Sequence, residues 1–433
     1  MQNRVIIVVG IQWGDEGKGK IIDLLSAHAD VVVRCQGGNN AGHTIVAQQK
    51  EFKFHLIPSG VLYPNVHCYV AGGCVVDAKS LILEIQELEK QGISLLGRLH
   101  VSAFAHLIMP YHKDWDLWQE ERKGHLAIGT TRKGIGPCYA DKASRIGIQV
   151  GELVYPDRFR EHLHQVVALK NQEIIQFGQK PPIQEKDIYE EYLKYASFLQ
   201  PYISFTVEKA IVEGVDKGKK VLLEGAHGSY LDCTFGTYPY VTATSALASG
   251  IAEGAGVGPT AIDHVIGVVK AFTTRVGHGP FPTELSTEEA SLFLSHEEAR
   301  EVATTTKRLR RMGWFDVPLV RNSLRRNGAS SMAIMKLDVL DKLAEIKVCI
   351  AYQLNGKRMD FPEMLTCDWE KLEPVYETFP GWLESTEDVS SYEKLPLKAI
   401  AYLEAIERLC NCPISLISCG PQRERTIYRS KLL

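Results

Sequence analysis

Seven short apolar, mostly β-branched runs recur along the chain: Val5–Val9, Val31–Val33, Val221–Leu223, Val265–Ala271, Ala333–Leu337, Lys347–Ala351 and Ile414–Ile417. They are near-continuous, where a strand with one face in water would alternate apolar with polar residues. Near-continuity marks strands covered on both faces, hence a mostly parallel sheet. Helical patterns lie between the runs. Leu81, Ile82, Ile85 and Leu88 put one apolar stripe on a helix over about 78–91. Further helical stretches run over Lys186–Lys217, broken at Pro201, and Leu395–Leu409. The expected fold class is α/β: a large central mostly parallel sheet flanked by helices, with helical and loop insertions.

The chain has 433 residues, which suits about three domains or one large α/β body. Strand–helix alternation over the whole length, without a repeat or low-complexity linker, favours one α/β domain over 1–433. A polar, motif-free stretch suggests a helical insertion over about 156–217. The glycine-rich stretches Gly124–Gly136 and Gly225–Gly258 carry interleaved hydrophobic and aromatic residues. They read as ordered loops at the ligand edge of the sheet.

Composition excludes several classes. Apolar residues make 45% and charged residues 23%, which rules out a disordered or fibrous chain. The net charge of −3 lacks the basic excess of a nucleic-acid coat, so no nucleic-acid partner is expected. No apolar run approaches the ~20 residues of a membrane span. Val5–Val9 ends at Gly10 without a cleavage pattern, so it reads as a buried strand and no signal peptide. The ten cysteines contain no C-x-x-C pair. Buried free thiols and a cytoplasmic setting are expected.

The first strand runs into Gly10-Ile11-Gln12-Trp13-Gly14-Asp15-Glu16-Gly17-Lys18-Gly19-Lys20 and then an apolar helix. In that context backbone N–H groups and a helix N-terminus cradle phosphate. Gly14–Lys20 fits G-x-x-x-x-G-K, yet Ile21 stands where an ordinary P-loop carries its Mg²⁺-binding hydroxyl. That argues against a simple GTP-binding switch. Asp15 and Glu16 would repel phosphate unless a metal or proton intervened. Either Asp15 binds Mg²⁺, or it works on a substrate, or both.

Gln36–Thr44 follows the second strand with amides, small residues and His43, a possible general acid. Thr304-Thr305-Thr306-Lys307-Arg308-Leu309-Arg310-Arg311 joins hydroxyls to cations, without the aromatics of a nucleic-acid site. It suits capture of a small anion. Lys336-Leu337-Asp338 ends a strand, where an Asp either serves as a cap or ion pair or accepts two N–H bonds from a guanine edge, which adenine cannot supply.

These motifs resemble the adenylosuccinate synthetase family. So do Gly129-Thr130-Thr131, Gly134–Pro137, Gly236–Thr242, Thr274–Gly277 and Gly279–Glu284. The likeness spans essentially the whole chain. It implies a homodimeric ligase that joins IMP and L-aspartate using GTP and one Mg²⁺ per subunit, the committed step from IMP toward AMP. By resemblance, Asp15 is the base at N1 of IMP and a Mg²⁺ ligand. His43 stabilises charge as the 6-oxygen is phosphorylated, Lys18 reaches the phosphates, and Gly42 offers a carbonyl to Mg²⁺.

The implied GTP site comprises Gly14, Asp15, Glu16, Gly17, Lys18, Gly19, Lys20, Gly42, His43, Thr44, Arg310, Lys336, Leu337, Asp338, Ser418, Cys419 and Gly420. The implied IMP site comprises Asp15, Glu16, Gly17, Lys18, Asn40, Ala41, Gly42, His43, Thr131, Arg145, His227, Thr242 and Arg308, with Arg145 reaching the neighbouring subunit. Aspartate falls to Thr304, Thr305, Thr306, Lys307, Arg308, Leu309 and Arg310. The chain departs from the family pattern at Asn39, Arg132, Lys133, Lys307, Leu309 and at His227, where a side-chain amide is usual.

Overall fold

The computed structural model describes residues 4–47, 50–177, 181–275, 277–294 and 310–432. Its main sheet has ten strands. They are β1 (Val5–Gly10), β2 (Val31–Arg34), β3 (His67–Val70), β4 (Leu99–Ser102) and β5 (Ile203–Ser204). The rest are β6 (Val221–Gly228), β7 (His264–Lys270), β8 (Ser331–Met335), β9 (Ile414–Ser418) and β10 (Thr426–Tyr428). The order across the sheet is β10-β9-β8-β7-β1-β6-β2-β3-β4-β5. All neighbours are parallel except β9 and β10.

Strand side chains alternate between two cores. Val5, Ile7 and Val9 pack into one, with the helices Val207–Asp216, Val317–Asn327 and Leu397–Cys410. Ile6 and Val8 pack into the other, with α1 (Lys18–Ser26) and the helices Ala78–Lys90, Pro156–Phe177 and Glu185–Leu199. This double cover is why the strands read as unbroken apolar runs. Truncating such a residue to Ala typically costs about 2–5 kcal/mol.

Two expectations change in detail. Lys347–Ala351 lies in Glu345–Leu354, outside the main sheet, and pairs antiparallel with 357–359 and 373–380. Over 156–217 the helices are present, yet Ile203–Ser204 joins the edge of the main sheet, and Val207 and Ile211 pack into its core.

Because the strands are parallel, the loops leaving β1, β2, β6, β7, β8 and β9 emerge at one edge. That edge is where open α/β sheets bind ligands.

Candidate active site

The loop after β1 turns through left-handed backbone at Gly14, Asp15 and Gly17 (φ 86°, 57° and 96°). Gly17 precedes α1 and no side chain caps the helix. Its first N–H groups are thus left for an anion. Glu16 is fully buried and braces the loop from inside. Its Oε1 accepts from the Gln12 and Gly14 N–H groups at 3.1 and 2.9 Å, and its Oε2 pairs with Lys18 Nζ at 2.6 Å. The Glu16 side chain is therefore turned away from ligands. Asp15 faces the cavity, where Arg310 Nη2 holds its carboxylate at 2.8 Å.

His43 opens a hairpin of His43–Ala47 with Lys50–Phe54 and stacks on Phe54, ring centroids 5.5 Å apart. It also lies against α1: a Cβ on Gly19 would sit 2.4 Å from His43 Cδ2. Burial first, then the Arg34 and Lys18 charges, push its pKa down to about 3. His43 is therefore a neutral imidazole, and its Nε2 is buried without a hydrogen-bond partner among the described residues. A neutral ring can still serve as a donor to developing negative charge.

His227 follows the same logic at the end of β6. Burial, then Arg34 and Lys18, lower its pKa to about 3. Asn40 Nδ2 lies 3.1 Å from its Nε2. An amide nitrogen can only donate, so Nε2 accepts and the ring proton sits on Nδ1. Nδ1 is buried and unpartnered among the described residues. The imidazole thus offers a donor, as the usual side-chain amide would.

One further charged pair lies in the site, beyond the motifs read above. Arg34, which ends β2, and Glu224, its cross-strand neighbour within β6, form a buried ion pair of 2.7 Å. Arg34 Nε and Nη2 are buried without partners among the described residues. The available signal was a charged residue closing an apolar strand at the ligand edge.

These groups line one cavity of about 1530 Å³. Single-ligand pockets run to roughly 1,000 Å³, so there is room for more than one substrate. Of the expected residues, Gly14, Asp15, Gly17, Lys18, Gly19, Lys20, Asn40, Ala41, Gly42, His43 and Thr44 line it. So do Thr131, His227, Thr242, Arg310, Lys336, Asp338, Ser418 and Gly420. Glu16, Leu337 and Cys419 are buried outside the lining. Arg145 is exposed at the C-terminus of the helix Ile135–Ser144 and also lies outside it. Thr304, Thr305, Thr306, Lys307, Arg308 and Leu309 lie outside the described residues.

Two departures from the family pattern meet each other. Lys133 Nζ donates to the Asn39 carbonyl at 2.8 Å, while Asn39 Nδ2 donates to Ser80 Oγ at 2.9 Å and Asp77 Oδ2 at 3.2 Å. They brace the cavity wall from behind.

A family model described as Adenylosuccinate synthetase matches residues 7–427. The chain is similar to the adenylosuccinate synthetase of Gloeobacter violaceus, 51% identical over 98% of this chain and 95% of that protein. It is similar to that of Heliobacterium modesticaldum, 48% identical over 98% of both chains. Its structure resembles the fully ligated adenylosuccinate synthetase of Plasmodium falciparum, with TM-score 0.91 and 37% identity over 99% of this chain and 100% of that one. A cyanophage S-2L succinoaminodeoxyadenylate synthetase, 18% identical with TM-score 0.64 over 100% of this chain and 97% of that one, shares the fold.

Proposed function

The chain belongs to the adenylosuccinate synthetase family, and on that premise we propose how its residues divide the work. The reaction is the GTP-dependent ligation of IMP and L-aspartate to adenylosuccinate, forming a C–N bond.

A lactam oxygen is a very poor leaving group. Phosphorylating it first makes its later displacement by an amine feasible. Asp15 takes the proton from N1 of IMP, and the N–H electron pair moves through the ring to the 6-oxygen. That oxygen attacks the γ-phosphorus of GTP and GDP leaves. The aspartate amine then displaces phosphate from C6. Such a transfer asks for positioning and charge neutralisation more than covalent help. Lys18, the N–H groups opening α1 and the His43 ring N–H offset the developing charge. Each contact of this kind is typically worth about 3–4 kcal/mol in a dry site.

Asp15 and the Gly42 carbonyl would hold one Mg²⁺ per subunit. Among the described residues no cluster of three or more His, Cys, Asp or Glu could hold a metal. Mg²⁺ commonly takes one or two carboxylates with substrate phosphates and waters, so this hard-oxygen pair fits it. When bound, the ion neutralises charge on the transferring phosphoryl group.

Asp338, Lys336 and the Ser418-Cys419-Gly420 turn read guanine. Asn40, Thr131, His227 and Thr242 face IMP. Arg308 and its neighbours take aspartate. Arg145, outside its own cavity, serves a second copy in a homodimer. All ten cysteines are free and eight are buried, which supports a reducing cytoplasm. No described helix is long and apolar enough to cross a membrane.

One observation carries this reading: Asp15 lines the same cavity as His43 and Asp338. Asp15→Asn should keep the native unfolding midpoint and bind IMP, while turnover falls by several orders of magnitude. Native turnover in that variant would overturn it.

A further inference from the structure

The second lysine of the phosphate loop does not reach into open space. Lys20 Nζ lies 2.7 Å from Ser418 Oγ, 2.8 Å from the Gly420 carbonyl and 3.0 Å from the Arg425 carbonyl. An ammonium has three donors, and these three acceptors use them all. The acceptors lie at the end of β9 and in the loop joining it to β10. That loop closes on itself around them: Ser418 Oγ donates to the Gly420 carbonyl at 3.0 Å, and the Cys419 N–H donates to the Arg425 carbonyl at 3.0 Å.

A second grip lies one helical turn along. Asp23 is fully buried and pairs with Arg423 of the same loop, Nη2 to Oδ1 at 2.6 Å, with a further bond from Nε. Positions i and i+3 share a helix face, so Lys20 and Asp23 clasp the loop from one side of α1. Burial pushes the Lys20 pKa down to about 8, with Cys419 and Asp338 opposing. The ammonium therefore sits within the field of the carboxylate assigned to guanine.

We propose that Lys20 is a positioning residue for nucleobase choice: it fixes the Ser418–Gly420 turn beside Asp338, and the phosphates are left to Lys18 and the N–H groups of α1. The inference rests on reading Asp338 and that turn as the base pocket. It runs against the G-K pattern, which would assign Lys20 to phosphate.

The two roles differ in one readout. GTP and ATP carry the same phosphates, so losing a phosphate ligand lowers kcat/KM for both alike. Losing a positioning residue erodes the preference for GTP. Lys20→Met removes the donors. Lys20→Arg keeps the charge, but its planar fork does not match three acceptors around one point. Both should lower the GTP/ATP ratio of kcat/KM by about tenfold or more, the worth of one lost polar contact, with KM for IMP unchanged.

Asp338→Asn is measured alongside. If it lowers the ratio and the Lys20 variants do not, the pocket stands and Lys20 is not its positioning residue. If Asp338→Asn leaves the ratio unchanged, the pocket reading fails and takes the inference with it. Should the Lys20 variants not fold, Ser418→Ala removes one acceptor and leaves Lys20 in place. It should lower the ratio in the same direction, and an unchanged ratio there overturns the proposal.

Discussion

Replacing Gly19 by alanine tests how closely the phosphate helix and His43 depend on each other. A Cβ at Gly19 would lie 2.4 Å from His43 Cδ2, 2.7 Å from Cγ and 3.0 Å from Cβ. Ordinary carbon contacts begin at about 3.5 Å, so the imidazole must retreat by roughly 1 Å. Its own Cβ is part of the clash, so swinging the ring does not relieve it, and Phe54 stacks against the ring. A displacement of about 1 Å can cost about 100-fold in rate. The helix itself gains, since Gly→Ala inside a helix favours folding by up to about 1 kcal/mol. Gly19→Ala should therefore lose about two orders of magnitude in kcat, while overpacking of about 1–3 kcal/mol offsets the helix gain and lowers the urea midpoint only modestly. Steady-state adenylosuccinate formation, followed by ultraviolet absorbance, and equilibrium unfolding report the two effects separately. Native kcat, or activity lost only in step with unfolding, would show that His43 does not depend on this glycine.

Acid should destabilise the fold through two half-buried histidines. His43 and His227 have folded-state pKa values of about 3, against ~6.5 when unfolded. Below pH ~6.5 the unfolded chain binds the extra protons, so stability is lost as pH falls from there toward 3. Urea midpoints across that range should fall, and His227→Gln should flatten the dependence; an unaltered slope would contradict the assignment. Arg34→Met leaves Glu224 buried without its partner and should cost about 3–5 kcal/mol by urea unfolding. A loss below about 1 kcal/mol, the range of an exposed pair, would show that Glu224 is already compensated.

The sheet's centre was legible because burial on both faces leaves the same apolar signature whatever lies on either side. Its margins were not. β3 (His-Cys-Tyr-Val) and the two-residue β5 are too short and too polar to stand out. Lys347–Ala351 reads as a central strand, yet Glu345 is exposed and Lys347 half-buried while Ile346 and Val348 are buried. That alternation belongs to the one-sided, mostly antiparallel sheet it actually joins.

In the site, Asp15 and His43 were legible because carboxylates, glycines and an imidazole in tight loops serve no packing purpose. Glu16 differs: the family resemblance put it among ligand contacts, whereas its buried side chain braces the loop's own N–H groups. Lys20 differs in another way. Its partners lie about 400 positions away along the chain, a pairing that only the sheet order creates.

In the proposed chemistry the Asp15 carboxylate works on the purine ring. In this structure it lies 2.8 Å from Arg310. A crystal structure with IMP, a non-hydrolysable GTP analogue and Mg²⁺ tests the claim most directly. An Asp15 carboxylate oxygen should lie within about 2.6–3.2 Å of N1 of IMP, with His43 beside the 6-oxygen. A carboxylate still on Arg310, or turned to solvent, with N1 left to another group, would contradict it.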